Sequence, residues 1–155
     1  MVFVVSNIIG YFRSSSVKAN NIEILKNYKT ISGKSVKALL ESNKVVVVNF
    51  WGTWCPICAQ EVSTLSKLAK RDDIVLLTVA VNSGSSDKIR EYMQKKGVNF
   101  LVLNDSSGEL GKKFNISVFP TTLFFSKDLK ASVSDSGYTT YAGFLARVKY
   151  MESKK

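Results

Sequence analysis

The sequence predicts an α/β sandwich with a mixed central sheet and helices on both faces. Three observations predict it. The runs Lys44–Trp51 and Ile74–Val81 are rich in β-branched and apolar or aromatic residues, the composition of strands buried on both sides. Segments with apolar residues at helical spacing stand between and after these runs, as in Val62, Leu65, Leu68 and Ala69. Strands that alternate with helices pack as a sheet covered above and below. A chain of 155 residues buries roughly 70% of the surface of its unfolded form in a single core. Its hydrophobic content of 45% and charged content of 22% suit one globular domain.

The elements follow in order. Short strands are expected near Ile22–Ile31, then a helical turn near Val36–Ser42. The strand Lys44–Trp51 ends at Gly52, and the helix beyond it runs to Lys70 with cations in its last turn. A strand at Ile74–Val81, a helix at Ser86–Lys96, a strand at Phe100–Leu103 and a helix at Ser107–Phe114 continue the alternation. A hairpin across Thr121–Val133 and a closing helix over Thr139–Glu152 complete the domain, expected to span 22–155.

The rare residues are concentrated. The chain has two cysteines, two tryptophans and two prolines, and all but Pro120 lie in Trp51-Gly-Thr-Trp-Cys-Pro-Ile-Cys58. A Cys-x-x-Cys pair also occurs in zinc sites, haem attachment sites and copper carriers. A structural zinc needs four ligands drawn mainly from Cys and His, and there is no histidine and no further cysteine. Covalent haem attachment needs a histidine where this chain has Ala59. No resident metal is therefore expected, although Cu(I) held between the two thiolates remains an alternative.

Position favours redox chemistry. Cys55 falls at the start of the helix and Pro56 at its first position, where a missing N–H costs nothing. Free N–H groups and the helix dipole there favour an anion, so Cys55 should ionise more readily than a free thiol. The thiolate is the attacking species. Cys58 returns to the same face of the helix, less exposed, as suits a resolving thiol. A purely structural disulfide would close too short a loop to gain much chain entropy.

These residues resemble a known family. Val48-Asn-Phe-Trp-Gly-Thr-Trp-Cys-Pro-Ile-Cys58 followed by Gln60-Glu61 looks like the active-site segment of thioredoxin-fold proteins of the TlpA/ResA type, which are exported, often membrane-tethered thiol-disulfide oxidoreductases. The stretches Val79–Asp87, Val102–Leu110, Phe114–Thr122 and Ser136–Tyr141 are similar, in that order, to the ScsD-like copper-sensitivity suppressor proteins. The resemblance implies a thioredoxin-like three-layer sandwich and a disulfide reductase whose redox group is the Cys55–Cys58 disulfide, with no other cofactor. It also implies exported disulfide proteins as substrates and a membrane electron donor of the DsbD/ScsB kind. A narrower reductase of apocytochrome c is a further alternative.

Roles follow residue by residue. Pro120 is expected in the cis form facing the cysteines, leaving Phe119 to present its backbone to an extended substrate. An ordinary proline at an edge strand is the plain alternative. Cytoplasmic thioredoxins bury an aspartate where this strand has Asn49, so another base is needed. Glu61 lies one turn after Cys58, and ResA-like proteins carry a glutamate at the matching position. Burial would raise its pKa and fit it to take the Cys58 proton, whereas a first-turn glutamate that only favours the helix dipole is the alternative. Trp51 shares a face with Asn49 and is expected beneath the site, and Trp54 beside Cys55. Thr53, Pro56 and Ile57 support the motif. Gly137 and Tyr138 are expected in the substrate groove, although a plain turn before the last helix also explains Gly137.

The first residues are read separately. Met1–Phe12 is apolar but shorter than the ~20 residues that span a bilayer, and it lacks the basic start and cleavage site of a signal peptide. Residues 1–13 are expected to be the remnant of a membrane anchor or an apolar arm, and 14–21 a polar tether. A periplasmic or otherwise extracytoplasmic, inner-membrane-tethered monomer is the expectation. The net charge of +10 does not indicate nucleic acid, because the lysines are spread singly and in pairs and only four of 22 basic residues are arginine.

Overall fold

A computed structural model describes residues 19–154. The expected anchor remnant and most of the tether lie outside the described residues. A 3-10 helix (Ala19–Asn27) leads into α1 (Val36–Leu40), β1 (Val45–Trp51), α2 (Pro56–Leu68), β2 (Ile74–Val81) and α3 (Ser86–Lys96). Then come β3 (Leu101–Asp105), α4 (Glu109–Lys113), β4 (Thr121–Phe125), β5 (Ser132–Ser136) and α5 (Tyr141–Glu152).

The five strands form one sheet in the order β3-β2-β1-β4-β5. β1 pairs parallel with β2 and antiparallel with β4, while β2 and β3 are parallel and β4 and β5 antiparallel. The sheet is therefore mixed, and β1 is hydrogen-bonded along both edges. Every residue of β1 is buried, which is why its sequence is apolar at every position but Asn49 rather than an alternation.

Alternation survives in which layer each side chain enters. Val45, Val47 and Trp51 point into a core shared with Val62, Leu65 and Leu68 of α2, Ile89 of α3, and Phe144, Val148 and Met151 of α5. Val46, Val48 and Phe50 point the other way, against Ile22 and Leu25, Val36 and Leu40 of α1, and Leu110 and Phe114. Each such side chain contributes about 1.5–3 kcal/mol on burial. Three layers result, as the sequence predicts.

Several boundaries differ from expectation. Ile22–Ile31 does not form strands: Ile22 and Leu25 are three residues apart and both buried, the period of a 3-10 turn, with polar residues outward. This helix also takes in positions 19–21, which the sequence reading placed in the tether. Only Lys29 bridges to Ser35 in strand fashion. β3 runs two residues further than predicted, to Asp105. The last helix starts at Tyr141 because Thr140 caps it, accepting from the Gly143 amide. Among the described residues no helix is long and apolar enough to cross a membrane.

Asp105 shows how the strand ends are held. It is buried, its Oδ1 accepts from the Leu110 amide at 3.1 Å and its Oδ2 from the Gly111 amide at 2.9 Å. These bonds tie the short α4 to the end of β3. Asp105→Ala should lower the unfolding free energy by about 2 kcal/mol, the worth of charge-assisted bonds to buried amides. Chemical denaturation checks this, and the alkylation rate of reduced Cys55 should stay at the wild-type value.

Candidate active site

β1 ends beside Gly52, and the chain turns directly into α2. Cys55 is the N-cap of that helix with extended φ and ψ, and Pro56 follows at its first turn. The Cys58 amide donates to Cys55 Sγ at 3.2 Å, so an orphan donor of the helix start is aimed at the sulfur that would carry charge. Cys55 and Cys58 are joined in a disulfide with Cα atoms 5.2 Å apart. Both are buried in this form, Cys55 at 5% and Cys58 at 1% exposure.

The second motif comes from the far end of the sequence. The Phe119–Pro120 peptide is cis, and the Phe119 carbonyl oxygen lies 3.8 Å from Cys55 Sγ. Antiparallel pairing of β4 with β1, Thr121 opposite Phe50 and Thr122 opposite Asn49, brings them together. The Gly137 amide donates to the Pro120 carbonyl at 2.7 Å, with Gly137 at φ 93°, a left-handed conformation that other residues seldom adopt.

Trp54 is held at the rim. Its indole Nε1 donates to the Val81 carbonyl at 2.8 Å, and its ring meets Phe119 edge-on with centroids 5.1 Å apart. Half of the side chain, 51%, still faces solvent. Ile57, Val118 and Tyr138 are exposed apolar residues next to the same motifs. Thr53 is fixed through its amide, which donates to Ser83 Oγ at 3.0 Å. Gly52 is obligatory for a local reason: a Cβ there would fall inside the Trp54 indole. Trp51 is fully buried beneath, against Tyr92 and Phe100.

Glu61 lies one turn beyond Cys58 on α2, with only 1% exposure. Asn49 Nδ2 donates to its Oε1 at 3.0 Å and the Thr139 amide to its Oε2 at 2.8 Å. Asn49 Nδ2 also donates to Thr122 Oγ1 at 2.9 Å. Burial pushes the Glu61 carboxyl up to about 7; the two donors pull it down and nearby Asp135 adds to the rise. A carboxyl that titrates near neutrality and sits behind a cysteine pair can take or return a proton.

Sequence similarity agrees with this geometry. The Redoxin family profile matches residues 19–137. The chain belongs to the Redoxin family. A thioredoxin-like protein of Haemophilus influenzae is 33% identical over 113 residues, covering 73% of this chain and 66% of that protein. The thiol-disulfide oxidoreductase ResA of Bacillus subtilis is 32% identical over 103 residues, 64% of this chain and 56% of that one. The Redoxin chain thus spans about two thirds or less of the length of these relatives. Among solved structures, the exposed lipoprotein thioredoxin of Streptococcus pneumoniae superposes with a TM-score of 0.66 at 26% identity, over 79% of this chain and 96% of that one. The fold is thioredoxin-like.

Cys55, Cys58, Pro56, Phe119, Pro120, Trp54 and Gly137 meet at one end of the Redoxin sheet, with Asn49, Trp51 and Glu61 buried under them. Thr53 and Ile57 lie in the same motif, and Tyr138 adjoins Gly137. The sequence reading missed Thr122, Thr139 and Asp135. Thr122 was detectable in principle, two residues past Pro120 on a strand. Nothing local marks Thr139, which is 78 positions from the glutamate it holds.

Two outcomes are expected. Gly52→Ala should push the Trp54 indole off Val81, seen as loss of the hydrogen-bonded shift of its N–H proton in NMR while the Trp51 signal stays. The second concerns Glu61, whose folded-state value of about 7 lies above the ordinary 4.5. Its stabilising contribution is fully present below about pH 4.5 and is lost as the pH rises through about 7, a change of about 3 kcal/mol. Thermal unfolding of the oxidised protein should show this loss between about pH 4.5 and 7, with a plateau above, relative to Glu61→Gln.

Proposed function

We propose that this Redoxin-family chain is a thiol-disulfide oxidoreductase that reduces disulfides of exported proteins. One observation carries the reading: the Cys55–Cys58 disulfide caps the start of a helix with Glu61, titrating near neutrality, one turn behind it. In the dithiol form, the Cys55 thiolate attacks one sulfur of a substrate disulfide. A Cys55–substrate bond forms and the first substrate thiolate leaves. Cys58 then gives its proton to Glu61, and its thiolate attacks Cys55 Sγ. The Cys55–Cys58 bond forms, the second substrate sulfur leaves, and Glu61 returns the proton to it. Two electrons have passed from the chain to the substrate.

The surroundings fit an extended peptide beside the sulfurs. Phe119, ahead of the cis-Pro120, supplies backbone polar groups, and Trp54, Ile57, Val118 and Tyr138 offer an apolar rim. Exposed apolar residues clustered beside the sulfurs suit a protein substrate. We further propose action outside the cytoplasm as a monomer, with a membrane donor of the DsbD/ScsB kind restoring the dithiol. The likeness to an exposed lipoprotein supports this compartment.

Cys58→Ser should trap substrates covalently on Cys55, to be identified after purification under non-reducing conditions. Cys55→Ser should trap none; equal trapping by both variants would refute the assignment of nucleophile and resolver. Glu61→Gln should slow resolution of the mixed disulfide on the order of 100-fold near neutral pH, with less effect at alkaline pH where Cys58 ionises unaided. Stopped-flow measurement of the second step checks it.

A further inference from the structure

Glu61 is gripped from the turn between β5 and α5, and that turn is itself held. The Thr139 hydroxyl donates to Asp135 Oδ2 at 2.7 Å. The same carboxylate oxygen faces Arg147 Nη2 of α5 at 2.9 Å, and Arg147 Nη1 donates to the Gly143 carbonyl at 2.9 Å. Asp135 is nearly buried, with 8% of its side chain exposed, and Arg147 is 20% exposed. A continuous line of polar groups therefore runs from Glu61 through Thr139 and Asp135 to Arg147, near the surface.

We propose that Asp135 and Arg147 form a positioning pair for Glu61: Asp135 anchors the Thr139 turn that grips the glutamate, and its charge, offset by Arg147, sets how readily Glu61 holds a proton.

Two physical effects are combined. Mechanically, the Thr139 amide points at Glu61 Oε2 because the hydroxyl of the same residue is tied to Asp135 on the last strand. Electrostatically, a carboxylate near Glu61 disfavours a second negative charge, and a guanidinium favours one. In a largely buried setting neither effect is screened as it is at a surface. The groups that hydrogen-bond Glu61 are neutral among the described residues: the Asn49 amide from β1 and the Thr139 backbone N–H. Asp135 is the charge that acts on it directly. A single ion pair on the last strand and helix can thus adjust a proton site at the cysteines without touching either sulfur.

The inference deepens the proposed function, since it rests on Glu61 as the acceptor of the Cys58 proton. The test keeps the two apart by reading Glu61 directly. In the oxidised full chain carrying ¹³C-labelled glutamate carboxyls, the Glu61 titration midpoint is followed by NMR. Asp135→Asn should lower the midpoint by about 0.5 pH unit or more, because a negative charge beside Glu61 is lost. Arg147→Met should raise it, Arg147→Lys should leave it unchanged, and the double variant Asp135→Asn/Arg147→Met should return toward wild type. A role in packing alone cannot move the two single variants in opposite directions. Midpoints that move in the same direction, or not at all, overturn the inference. Should Asp135→Asn fail to fold, the Arg147→Met and Arg147→Lys comparison decides alone, and a shift common to both overturns it. In the reduced chain, the pH profile of mixed-disulfide resolution should shift in the same order as the midpoints. Opposite midpoint shifts with an unmoved profile would uphold the coupling and overturn the role of Glu61 in the exchange.

Discussion

The structure depends on a central strand that has no freedom to move. β1 is paired along both edges and buried on both faces, so a slip of one residue would exchange its two sets of side chains between layers and break both ladders. Everything at the site is measured from its end. Gly52 allows the turn, Cys55 caps the helix that follows, and β4, locked to the same strand, carries the cis-Pro120 to the sulfurs. Precision at the cysteines is therefore a property of the sheet, not of the loop that bears them.

The same strand introduces the main polar feature of the interior. Asn49 is a neutral amide in the midst of valines, and its Nδ2 is shared between Glu61 and Thr122 while its Oδ1 is buried without a hydrogen-bond partner among the described residues. Glu61 in turn is tolerated because Asn49 and the Thr139 amide cap its two oxygens. Desolvation outweighs these bonds and leaves the carboxyl titrating near neutrality. The cost of burying this group is what fits it for proton transfer, so stability is given up at the place where chemistry is proposed.

Much of this could be read from the residues. The nearly continuous apolar run Ile74–Val81 and the capped helix Ser86–Lys96 carry strong local signals, and the structure places them where the pattern does. The cysteine motif and Glu61 lie within one turn-and-helix unit, so their geometry follows from helix spacing alone. The misreading at Ile22–Ile31 has the opposite origin. A short apolar run separated by polar residues fits several periods, and contact with the sheet's second face selects the three-residue one.

By itself the sequence determined the strand-turn-helix unit, the sulfur at the helix start and a carboxyl one turn behind it, because all depend on neighbours within about four residues. Tertiary structure alone decided what surrounds that carboxyl. The Thr139 amide and Asp135 reach it, and Thr122 and Arg147 hold its partners, only because β4 and β5 add to the sheet beyond β1 and α5 packs across it. Burial makes this glutamate a weak acid, and the charges and donors within a few ångströms adjust it. Those arrive from the far end of the chain, and no local pattern of residues encodes their arrival.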